Sequence, residues 1–177
     1  MKTNESGRSM IEMLGVLAII GVLSVGGIAG YSKAMGKHRV NKCIDQITQI
    51  VSSTRALFYG HKTYAALDDS TANLVEKAHL FPDELGDGDG TNPFGGKVTI
   101  KAAAKGTGDT KKKAFSITYT LIPEESCIDL ATQDWGKGSR SGLISIKIND
   151  NSVESGSISA ATSKCSGENN TIEWVFY

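Results

Sequence analysis

Proline, histidine and cysteine each occur only 3 times in the 177 residues, and neither sign of charge is in excess. Each scarcity excludes something. With 3 prolines against 20 glycines, the turns are glycine turns and the loops flexible. The 19 basic and 19 acidic residues cancel, so the clustered positive charge that searches for nucleic acid is missing, and no nucleic-acid partner is predicted. His38, His61 and His79 have no metal-ligand partner at helical or C-x-x-C spacing, so neither a metal nor a catalytic histidine follows. No G-x-S-x-G or Walker loop occurs. The glycine runs at 86–90 and 136–142 lack the strand–turn–helix context of a phosphate cradle. No catalytic residue and no cofactor is predicted, which disfavours an enzyme.

What the sequence does have is one long apolar run. Between residues 13 and 29 every side chain is apolar or small, Ser24 being the most polar, and residues 11–31 are long enough for a helix to cross a bilayer. A secretory signal would carry a shorter apolar core with a small-x-small cleavage site after it. Glu12 interrupts the rule near the start of the run, where a membrane charges roughly 2.5–3.5 kcal/mol at mid-depth and less near the headgroups. A carboxylate held there points to a function, with a positive group at the end of a neighbouring copy of the same helix as its partner. Gly26 and Gly30 form a small-xxx-small pair that lets helices approach closely in lipid. Gly26, Gly27 and Gly30 also weaken the helix by about 1 kcal/mol each, so local softness and tight packing both remain open for them.

Beyond Tyr31 the pattern turns amphipathic. Val40, Ile44, Ile47, Ile50, Val51, Thr54, Leu57 and Phe58 recur at spacings of three and four, with Lys42, Asp45, Gln46, Gln49 and Ser53 opposite. One continuous helix over residues 8–59 follows, with Gly60 as its stop. About 145 residues remain outside the leader and membrane segment, enough for one small domain. A short helix is expected over 73–80. Residues 85–96 read as a loop, in which Asp87 and Asp89 suit a plain turn better than a calcium loop, because spaced ligands and a closing glutamate are missing. Residues 98–102 and 115–121 read as strands. In the second, Phe115, Ile117, Tyr119 and Leu121 face one way and Ser116, Thr118 and Thr120 the other, and Lys111, Lys112 and Lys113 form a hairpin tip. A helix from Glu124 to Trp135, ended by Gly136 and Gly138, precedes strands at 143–148 and 172–177. A disulfide between Cys127 and Cys165, both in the polar C-terminal third, is favoured over three reduced thiols. Closing a loop of about forty residues, it stabilises by roughly 3–4 kcal/mol and demands an oxidising compartment. Cys43, on the helix, is left free.

The leader MKTNES, ending in Gly7 and followed by Arg8-Ser9-Met10-Ile11-Glu12 and the apolar run, resembles that of type IV prepilins and related pseudopilins. NPFGGKVTI, AFSITYTLIPEESCIDLATQ, a late cysteine and a final strand are similar in order to type IVb pilins, above all those of conjugative thin pili. The resemblance implies an α+β fold, a long N-terminal helix packed on a small antiparallel sheet. It implies a leader over 1–7, a helix over 8–59 (11–31 transmembrane, 32–59 amphipathic) and a head domain over 60–177. A prepilin peptidase would cut after Gly7 and methylate the Arg8 amine, although Arg8 stands where an apolar residue is usual. Glu12 would then meet that amine on the next subunit. The implied partners are further copies of the chain in a filament, the peptidase, the assembly machinery and the inner membrane, with the head periplasmic until assembly. Counting Lys33, Lys37, Arg39 and Lys42 against Lys2 and Arg8 gives the opposite orientation; the resemblance and the cysteines outweigh that count. The alternatives are a minor pilin or type II secretion pseudopilin, and a membrane-anchored adhesin or binding module that never polymerises.

Overall fold

A computed structural model describes residues 6–68, 74–85, 90–106, 108–136 and 142–177. The chain divides into two compact units, residues 1–38 and 39–177. Helix α1 (Ser6–Leu57) runs through both. In the first unit it is the one element, and it is the one helix among the described residues that is long and apolar enough to cross a membrane.

The second unit is a five-stranded, wholly antiparallel sheet in the order β1-β2-β5-β3-β4, formed by β1 (Val98–Ala103), β2 (Ala114–Ile122), β3 (Leu143–Ile148), β4 (Asn151–Val153) and β5 (Asn170–Phe176). Into its core the last turns of α1 insert Val40, Cys43, Ile47, Ile50 and Val51, and the turn after it Phe58, against Phe115, Ile117, Tyr119, Ile146 and Trp174. The helix ends two residues short of the expected boundary. Phe58 still donates to the Thr54 carbonyl (3.1 Å), but His61 then donates to Phe58 (2.9 Å) across Gly60, whose φ of +84° is the left-handed conformation that glycine adopts without penalty.

Two expected faces of α1 are corrected. Gln46, placed on the polar side, is 4 % exposed, and Leu57, placed on the apolar side, is 40 % exposed. The docked stripe is rotated because the sheet covers the 43–47–50–54 row.

The alternation of β2 holds only to Tyr119. Tyr119 pairs with Ile172 and Ile122 with Asn170, so Thr120 and Leu121 together oppose Thr171 alone. This is a bulge. It flips Leu121 out (46 % exposed, φ +56°) and lets Ile122 take the core position. The loop before β1 seats the bulge. Asn92 Nδ2 donates to the Thr120 carbonyl (2.8 Å), while its Oδ1 accepts from the N–H of Phe94 (2.8 Å) and of Gly96 (3.1 Å). A Cβ on Gly96 would stand 1.8 Å from that same carbonyl oxygen, so this position needs glycine.

The expected helix at 73–80 is α2 (Leu74–Lys77) within the described residues. His79 at φ +46° ends it, with Leu80 donating to Val75 (3.0 Å) and His79 to Glu76 (3.1 Å), the paired bonds of a Schellman close. The helix expected to reach Trp135 is α3 (Glu124–Thr132). Trp135 lies past its end, and its indole N–H donates to the Leu130 carbonyl (2.8 Å). Gly138, Asp87 and Asp89 lie outside the described residues.

Two elements were not anticipated. The β3–β4 hairpin turns on Asn149 (φ +47°) and Asp150 (φ +65°), the doubly left-handed pair that a two-residue type I′ turn needs. Helix α4 (Ile158–Lys164) is capped by Ser157, whose Oγ accepts from the Ala160 N–H (3.4 Å).

Candidate assembly site

The expected assembly residues fall on the first unit. Gly7 and Arg8 lie in the first turn of α1, and Glu12 is an exposed side chain one turn on. Around Glu12, Met10, Ile11, Met13, Leu14, Val16 and Leu17 are exposed on every side of the helix. A helix that is apolar all round is stable only when something apolar surrounds it. Gly26, Gly27 and Gly30 are helical, and a Cβ at any of them would meet nothing within 4 Å. Nothing inside one copy therefore requires glycine at these positions.

The second unit holds the cysteines. Cys127 on α3 and Cys165 at the C-cap of α4 form a disulfide with Cα atoms 5.9 Å apart, both buried. The bridge clamps two helices that otherwise rest on the sheet through short contacts. Asn170 sits beneath them, donating to the carbonyls of Ile122 (3.0 Å) and Gly167 (3.1 Å) and accepting from Ser166 N–H and Asn149 Nδ2 (2.9 Å each). One buried side chain thus joins β2, β5, the β3–β4 turn and the segment after α4. Sequence reasoning missed Asn170, and its only sequence signal is a polar residue opening a strand. It also missed Arg55, whose Nε and Nη2 donate to the Tyr177 oxygen (3.0 and 2.7 Å), tying α1 to the end of β5.

Cys43 is free and fully buried, and burial pushes its thiol up to about 12. Tyr119 is raised as well, first by burial and then by the neighbouring Cys43. The Tyr119 hydroxyl has no hydrogen-bond partner among the described residues. Among the described residues no group of three or more His, Cys, Asp and Glu could hold a metal ion.

The profile of a protein family described as PilS N terminal matches residues 37–177. The chain belongs to this family. The match covers the head and the docked end of α1. Relatives of this PilS-family chain include the "Major structural subunit of bundle-forming pilus" of Escherichia coli O111:H-, 26 % identical over 153 residues, covering 85 % of the chain and 76 % of that protein. The "Toxin coregulated pilin" of Vibrio cholerae is 26 % identical over 137 residues, covering 74 % of the chain and 58 % of that protein. A solved type IV b pilin from Salmonella typhi is similar at a TM-score of 0.49 and 22 % identity, over 72 % of this chain and 93 % of that one. The family is one of structural pilins and not of enzymes.

Proposed function

We propose that the chain is the structural subunit of a pilus, held as a precursor in the inner membrane by α1 and polymerised through it. The observation that carries this is the pairing of a PilS-family head with a helix whose leading half is apolar on every side. Each large apolar side chain removed from water contributes about 1.5–3 kcal/mol. A bilayer can cover them first, and the helices of other copies afterwards. In this reading a prepilin peptidase cuts after Gly7 and methylates the Arg8 amine, and the assembly machinery lifts the subunit out of the membrane. The new amine pairs with Glu12 of the adjacent copy, so that two charges meet as the helices leave the lipid headgroups. The pair sets register more than strength, because the desolvation of two ions offsets most of their attraction. The curated relatives, named as major pilus subunits, favour the major over the minor role for this chain.

Mass spectrometry of the mature protein tests the reading. Loss of seven residues plus the mass of one methyl group is expected, and Gly7→Ala should retain the full leader. A working form that still begins at Met1, or normal cleavage of Gly7→Ala, would overturn it.

A further inference from the structure

Strand β2 separates the charges of the head. At its first end the β1–β2 connection carries Lys105, Lys111, Lys112 and Lys113, all exposed. Asp109 is the acid inside this loop, and the backbone uses its carboxylate. It accepts from the N–H of Lys105 (2.9 Å), Lys113 (3.0 Å) and Lys111 (3.0 Å), bonds that hold its carboxyl below the ordinary range. Lys112 pairs with Asp68, and Lys105 lies over the Tyr177 ring, 3.8 Å from its centre. Lys111 and Lys113 form no ion pair among the described residues. The loop is therefore internally braced, with Lys112 on Asp68 and Lys105 on the Tyr177 ring, while Lys111 and Lys113 are exposed.

The other end of β2 is acidic. Ile122 leads through Pro123 into α3, which opens on the exposed Glu124 and Glu125. Glu124 Oε2 accepts from the Gly167 N–H (3.0 Å), bringing the exposed Glu168 to the same end, and the Cys127–Cys165 bridge fixes both segments. Lys97, whose backbone N–H donates to Thr120 Oγ1 (2.8 Å), and Lys164 are the cations nearby. The 9 residues of β2 set the two ends roughly 30 Å apart at the rise of an extended strand. That is several times the screening length of about 8 Å at physiological salt. The two charge groups cannot neutralise each other within one head.

We propose that the lysine loop of one copy docks on the acidic start of α3 and Glu168 of the next. This head-to-tail contact rests on the reading that the chain polymerises. The surfaces are different on the two sides, so the contact repeats head to tail, and with a rotation that does not close into a ring it generates an open helical array. Its contribution is to orientation and register.

Charge reversal in the full-length chain tests it. Lys111→Glu with Lys113→Glu, or Glu125→Lys with Glu168→Lys, should each lower the yield of filaments about tenfold or more, because like charges then face one another. All four changes together should restore the yield to within about twofold. The exposed side chains leave the unfolding midpoint of the head unchanged. Carbodiimide cross-linking of filaments built from isotopically mixed wild-type copies reads the contact without any mutation. A bond between a labelled loop lysine and an unlabelled Glu124, Glu125 or Glu168 is expected. Undiminished yield in both double variants, no recovery in the quadruple one, or no such cross-link between copies overturns the contact while polymerisation stands. Wild-type protein that forms no filament overturns polymerisation and the contact with it.

Discussion

From Met10 to Tyr31 the large apolar side chains of α1 stand 53–75 % exposed, whereas Ile47, Phe115, Ile146 and Trp174 in the head are 0 % exposed. Both stretches are rich in isoleucine, valine and leucine, and both are laid on regular secondary structure. The head satisfies its apolar surface with its own chain, through a sheet, a helix face and a disulfide. The leading half of α1 leaves its surface for a bilayer or for other copies. In the proposed reading, stability is a property of one copy in residues 39–177 and of a bilayer or many copies in the leading half of α1. Damage to the first should appear in unfolding, and damage to the second in assembly.

The sharpest way to break that division is Glu12→Ala. Filaments should be lost altogether, as counted by electron microscopy of sheared material, while the unfolding midpoint of the head stays at the wild-type value. A shifted midpoint, or filaments in normal number, would mean that the two regions do not divide the work in this way. Cys127→Ser should do the opposite, destabilising the head by about 3–4 kcal/mol while the variant still inserts and is still cleaved. Reductant should act on the wild type to the same extent, and equal denaturant midpoints with and without it would remove the bridge from the account. Gly96→Ala should lower stability by about 1–3 kcal/mol, since the new Cβ would collide with the Thr120 carbonyl that the β2 bulge pushes toward it. Unchanged stability would show that the loop yields freely.

The smallest effect is alkaline. The Cys43 thiol is held near 12 when folded and ionises near its ordinary value when unfolded. The unfolded state therefore sheds the proton first, and stability present below about pH 9 declines as pH rises toward 12. At pH 10 the loss is about 1.4 kcal/mol from this group, and Tyr119, shifted in the same direction, adds to it at higher pH. Cys43→Ala should flatten the slope between pH 9 and 11 in urea titrations. An unaltered slope would show that another group carries it.

The elements legible in advance are those whose periodicity runs long enough to be read locally. α1 declares itself by more than forty residues of helical pattern, and β1, β3 and the first part of β2 by alternation. The misreadings share one cause. Leu121 and Ile122 exchange faces because a bulge depends on what lies opposite, and the chain opposite is β5, some fifty residues away. Gln46 and Leu57 change places because the sheet, not the helix, decides which row is covered. The Asn149–Asp150 turn and the Ser157 cap were readable signals, since both residue pairs carry recognised turn and cap chemistry, but strand β4 between them has only 3 residues. Arg55 and Asn170 act through partners 122 and 48 positions away, and no local pattern announces such bonds.

By itself the sequence determined that one long helix begins in a stretch long and apolar enough to cross a membrane and ends on a domain, because apolar content and helical period are properties of neighbouring residues. It likewise marked Glu12 as anomalous and Cys127 and Cys165 as the pair to join. The tertiary structure alone decided which side of α1 is buried, where β2 breaks step, and that the lysine loop and the acidic start of α3 stand at opposite ends of one strand. Those are relations between segments far apart in the chain, and only the closing of the sheet brings them into contact or holds them apart.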